Sequence, residues 1–131
     1  MIDISNAVYT LVKNALNQHD STIKTSNVYT NTPSTYPFVS VEEIENVVDI
    51  NTSDCVVENH AIVQYEINIY TKDPQKRSKG IEILAVVNDL LASYNFVRVS
   101  KNELQDTNET TYRIVARYEA VVSKDHTIYR R

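Results

Sequence analysis

A chain of 131 residues, 42% of them hydrophobic, has the length of one folded domain and enough apolar content for a real core, which excludes a disordered segment. Its formal charge of −4 makes it a poor generic nucleic-acid binder, because that affinity comes from releasing counterions from phosphates. The single Cys55 excludes an internal disulfide and a cysteine-rich metal site, and no apolar run is long enough to span a bilayer.

The first sixteen residues lack the basic start and uninterrupted apolar centre of a signal peptide, so the expected product is made and kept in a cytoplasm. Residues 3–18 then read as a helix. Ile4, Val8, Leu11, Val12, Ala15 and Leu16 make one stripe, and Asp3 or Ser5 is placed to cap its start. A polar stop follows at His19-Asp20-Ser21. Residues 23–30 predict a short strand around Val28 and Tyr29, and the turn-rich NTPSTYP leads into a second strand at 37–45. Pro37 suits the first position of that strand, where no ladder donor is lost. Residues 46–59 are polar and irregular but hold Val47, Val48, Ile50, Val56 and Val57. They predict a long hairpin arm: an outgoing strand to 48, a tip near Asn51 to Asp54, and a return into a strand at 60. Such an arm, without an evident partner in its own chain, is expected to meet another chain.

The stretch from His60 to Tyr94 carries the clearest patterning. Ala61, Val63, Tyr65, Ile67 and Ile69 alternate with Ile62, Gln64, Glu66, Asn68 and Tyr70, the period of two of a half-buried strand. Asp73-Pro74 ends it, since proline donates nothing to a ladder and restricts its predecessor. Ile83, Val86, Val87, Leu90, Leu91 and Tyr94 then fall on one arc at helical spacing. Asn95 leaves the helix, a strand runs from Phe96 to about Leu104, and a last strand covers 111–124 with Tyr112, Ile114, Ala116, Tyr118, Ala120 and Val122 on one side. Residues 125–131 form a C-terminal tail. The order predicts one α+β domain over 1–131: an antiparallel or mixed sheet of four to five strands, two helices packed on one face, and a long β-hairpin arm.

Catalytic and cofactor patterns are missing. The one glycine, Gly80, excludes glycine-rich phosphate loops and dinucleotide fingerprints, and reads as easing the chain into the second helix. His19, His60 and His126 have no metal-ligand spacing. A Cys55–His60 nucleophile and base is outweighed by a small apolar cysteine in a loop. Glu42 and Glu43 point to opposite sides of a strand and cannot act as a carboxylate pair. Arg113 and Arg117 are placed to pair with Glu66 across the sheet. No catalytic, metal or cofactor residue is therefore assigned, and no cofactor is expected.

Charge is uneven. Residues 1–71 carry a net −7 and residues 72–131 a net +3. Glu42, Glu43 and Glu45, with Asp49 and Asp54 on the arm, form an acidic region, and Lys72, Lys76, Arg77 and Lys79 form the one dense basic cluster. Opposite halves on one chain suit head-to-tail contact between copies, so these nine residues are the expected interface. An ordinary solvated surface is one alternative, and a basic cluster that faces another anionic partner, protein or DNA, is the other.

Four local patterns add a resemblance. They are the N-terminal helix with its polar stop, Tyr36-Pro37-Phe38-Val39-Ser40-Val41, and the strand Val63–Thr71 with its basic turn and helix. The fourth is Tyr112-Arg113-Ile114-Val115-Ala116-Arg117-Tyr118-Glu119 with an Ile128-Tyr129-Arg130 tail. Together they resemble the tail terminator, or tail completion, proteins of tailed bacteriophages and prophage tail-like particles. The resemblance implies a non-enzymatic virion protein, made in the bacterial cytoplasm, that forms a homo-hexameric ring on the tail tube protein. It stops tube polymerisation and offers a surface to the head-completion or connector protein, with no membrane and no sequence-specific nucleic acid as partner. Neck proteins that join head to tail have similar lengths and element order and are the alternative. A small cytoplasmic enzyme or ligand-binding α+β domain is the third reading, and it requires a concave pocket with convergent polar groups.

Overall fold

The computed structural model describes residues 1–28, 36–48, 60–72, 76–105 and 111–129. Helix α1 spans Ser5–His19, and strand β1 covers Lys24–Ser26. The long strands β2, Phe38–Val48, and β3, His60–Lys72, follow. Helix α2, Lys76–Ser93, leads to β4, Val97–Gln105, β5, Thr111–Ser123, and the two-residue β6, Ile128–Tyr129. The strands form one mixed sheet ordered β1-β2-β3-β5-β4, with β6 also on β5. Among the described residues only β1 and β2 run parallel, and the other pairings are antiparallel. Both helices pack on one face, giving the α+β architecture that the element order predicts.

The period-two pattern of β3 and β5 builds this core. Ala61, Val63, Tyr65, Ile67 and Ile69 are all buried, and register sets them beside Val122, Ala120, Tyr118, Ala116 and Ile114 of β5. Val8, Val12 and Leu16 from α1 and Ile83, Leu84, Val87 and Leu91 from α2 close over these rows. Two tyrosines bring polar atoms into the layer and find partners for them, as buried hydroxyls must. The Tyr118 hydroxyl donates to Asn88 Oδ1 of α2 at 3.0 Å, and burial pushes its pKa up to about 12. The Tyr65 ring meets Phe96 edge-on with centroids 5.9 Å apart.

Several expectations need correction. The short strand lies at Lys24–Ser26 rather than around Val28, which is exposed; Tyr29 is outside the described residues. Tyr94 does not share the buried arc of α2. The helix ends at Ser93, Asn95 turns the chain with φ 71°, and Tyr94 is 41% exposed. Gly80 does not serve the entry to α2. It sits inside the helix, where a Cβ would stand 3.1 Å from Ile114 Cδ1 and 3.5 Å from the Tyr112 ring. Its missing side chain is what lets α2 lie close on β5. Asn46, Val47 and Val48 are not an unpartnered arm, because they continue the ladder with Val63, Ile62 and Ala61 of β3. The rest of the arm, 49–59, lies outside the described residues. The C-terminal residues also turn back. His126, with φ 66°, helps return Ile128 and Tyr129 onto Val122 and Val121.

The outer face of the sheet holds one polar cluster that alternation does not announce. Asn68 is fully buried there, and its Oδ1 accepts hydrogen bonds from Arg113 Nε at 3.1 Å and Nη2 at 2.7 Å. The same guanidinium lies 5.5 Å from the Tyr70 ring centroid, and Phe38 tilts against Tyr70 at 6.1 Å. Arg113 thus serves Asn68, and Arg117 is the arginine that faces Glu66, at 3.9 Å.

Candidate assembly surfaces

The acidic residues gather on β2. Glu42 lies opposite Glu66 on the outer face, and Glu43 lies opposite the inward-facing Tyr65. Glu43 Oε1 accepts from the Tyr65 hydroxyl at 3.1 Å and from Asn46 Nδ2 at 3.3 Å; Asn46 Nδ2 also donates to the Ile2 carbonyl at 2.7 Å. Burial raises the Glu43 carboxyl above its ordinary range, and the hydrogen bonds from Tyr65 and Asn46 oppose the shift. Burial, with the Glu43 charge second, also raises the Tyr65 hydroxyl. A register shift between Glu43 and Glu45 then returns Glu45 to the outer face, exposed to solvent. A hollow of about 230 Å³ lined by Ser5, Asn6, Asn27, Val41, Glu42, Glu43 and Tyr65 adjoins this region.

The basic residues divide into two groups. Lys72 ends β3, exposed, with Nζ 5.8 Å from the Tyr36 ring centroid. Arg77, 66% exposed in its side chain, stands 3.3 Å from Glu103 of β4. Lys79 turns the other way: its Nζ is 2.7 Å from Asp20 Oδ2 and 3.4 Å from Glu82 Oε2. His19 Nε2 lies 3.1 Å from Glu82 Oε1, so Lys79 and His19 both reach Glu82 and α1 and α2 are joined at this end by a small polar network. The Asp20 carboxyl is held far below its ordinary range, chiefly by the hydrogen bond from Lys79 and then by those from Thr22. Asp49 and Asp54 lie outside the described residues, as does the side chain of Lys76.

The structure therefore sets Glu42 and Glu45 on the outer face of β2 and turns Glu43 inward, and it places Lys72 and Arg77 away from them, while Lys79 is engaged within its own chain. Sequence reasoning missed a second basic group, Arg98 and Lys101 on β4, exposed and on the opposite flank of the sheet from β2. The signal was present as two cations in VRVSK, but only the strand order shows which edge they occupy. Among the described residues, no group of three or more His, Cys, Asp or Glu side chains is arranged to hold a metal ion. No helix of the described residues is long and apolar enough to cross a membrane.

No protein-family model and no curated protein sequence matches the chain. Among solved structures, it is similar to a chain in a structure described as the virion of a native gene transfer agent particle. The TM-score is 0.67 at 15% sequence identity, over 92% of this chain and 94% of that one. At this identity the similarity is one of fold, and it runs through the helices and the sheet together rather than through a shared fragment.

Proposed function

We propose that the protein is a structural component of a phage or phage-like virion, and that it caps the tail tube as a ring, stops tube growth and presents the surface to which the head attaches. The observation that carries this reading is the fold likeness to a gene transfer agent virion chain over nearly the full length of both. The charge distribution supports it, with β2 acidic and the basic residues elsewhere on the surface. The assigned partners are further copies of the chain, the tail tube protein and the head connector, and the place of action is the virion.

Particles produced without this protein test the reading directly. The expected result is tail tubes of uncontrolled length that fail to join heads. Tubes of normal length without heads would assign the protein instead to the head-tail neck, and normal infectious particles would contradict both roles.

A further inference from the structure

The sheet has two open edges of opposite character. On one flank β1 pairs only with Phe38–Ser40, so among the described residues no strand lies beside Val41–Val48 of β2. On the other flank β4 is, among the described residues, the outermost strand. An open edge offers unpaired N–H and C=O groups and is a template for another strand. The β2 edge carries Glu42, Glu43 and Glu45 and no Lys or Arg. The β4 edge carries Arg98 and Lys101, and its one carboxylate, Glu103, is already faced by Arg77 at 3.3 Å and Lys101 at 3.6 Å.

Strand direction fits the same pairing. Because β2, β3, β5 and β4 each run antiparallel to the next, β2 and β4 run in opposite directions. Turning a second copy about a ring axis until its β2 lies beside β4 of the first therefore creates an antiparallel ladder. The sheet continues across the junction with the same face outward. Each edge strand has a bulge, between Glu43 and Glu45 in β2 and between Arg98 and Ser100 in β4. Bulges ordinarily blunt edges, but these leave the regular runs Glu45–Val48 and Ser100–Gln105.

We infer that β2 of one copy pairs antiparallel with β4 of the next, acidic edge against basic edge, so that a single sheet passes from subunit to subunit. The contact is heterologous: each copy offers a different edge to each neighbour, as ring closure requires. Backbone pairing supplies the adhesion, and the charges select β2–β4 over β2–β2. This inference rests on the ring reading above, and it moves the basic partner of the acidic strand from the turn at Lys72 to β4.

The test uses Cys55→Ser as parent and the exposed positions Glu45→Cys and Lys101→Cys, made singly and together, with circular dichroism to confirm each fold. Purified proteins at high concentration are treated with a short bismaleimide cross-linker. The expected result is a covalent dimer when the two single variants are mixed, little from either alone, and a ladder ending at a fixed subunit number from the double variant. Added salt should lower the mixed yield, because the charges left on the two edges, half-buried Glu42 and exposed Arg98, are within reach of screening ions. Dimers of Glu45→Cys alone as abundant as the mixed product would overturn the inference, as would absence of the mixed product. Images of the unmodified protein on tail tubes separate the two claims. A ring without the mixed cross-link overturns the edge pairing and leaves the ring reading standing; absence of any ring overturns both.

Discussion

Lys79 Nζ stands 2.7 Å from Asp20 Oδ2, and this ion pair ties the first turn of α2 to the residue that ends α1. Asp20 also accepts hydrogen bonds from the amide and hydroxyl of Thr22, at 3.0 and 2.7 Å, so one carboxylate fastens the helix pair and shapes the turn into β1. A residue read from charge clustering as an outward-facing cation is thereby an internal fastener.

The pH dependence of that fastener follows from the depressed Asp20 carboxyl. A carboxyl whose folded pKa lies below its unfolded value contributes stability above the unfolded value and loses it as pH falls toward the folded one. Asp20→Asn should therefore be less stable than the parent at neutral pH, and the gap should shrink as pH drops below the ordinary value of 3.8. Thermal melts of the two proteins across an acid series check this. A gap that stays constant to low pH would show that the carboxylate charge is not what matters.

Ile67 and Ile69 lie at the middle of the core, fully buried and flanked by β2 and β5. Replacing either with Ala should cost about 2–5 kcal/mol, the sum of lost transfer energy and a residual cavity. Chemical denaturation measures the change, and a loss below about 0.5 kcal/mol in both would contradict their placement at the centre of a close-packed layer.

Asn68 and Arg113 should be energetically coupled. Asn68→Ala removes the acceptor of two charge-assisted hydrogen bonds at a buried position, which typically costs about 1.5–3 kcal/mol. A double-mutant cycle with Arg113→Ala should give a coupling of about 1 kcal/mol or more. Additive effects would show that the two side chains act independently.

Gly80 should resist enlargement. A leucine there would press on Ile114 and Tyr112 and push α2 off the sheet, at about 1–3 kcal/mol of overpacking. Equilibrium unfolding of Gly80→Leu provides the measurement, and unchanged stability would mean that the helix and sheet are not in close contact at this point.

How legible these features were depended on whether the information is local. The alternation of β3 and β5 and the stripes of both helices are repeated patterns, each set by one sheet face or one helix stripe, so fold class, helix positions and most core residues could be read directly. Tyr94 was misplaced because spacing alone carried the helix one residue past Ser93, where Asn95 enters the left-handed region. Gly80 and Asn68 depend on what approaches from a distant strand, and a lone glycine or asparagine gives no sign of its tertiary neighbour. The same holds for the candidate interface. The acidic residues of β2 were visible as a run, whereas Arg98 and Lys101 became relevant only once β4 was known to be the opposite edge. The engagement of Lys79 with Asp20 joins residues 59 apart in sequence and left no local pattern.

The proposal that this protein ends the tail tube as a ring is decided by an image reconstruction of the tube's head-proximal end in purified particles. The expected density is a closed ring of six copies, joined head to tail, with one surface on the last tube subunits and the other toward the connector. A particle whose tube end holds no such ring, or that carries this chain only as a two-fold dimer, would contradict it.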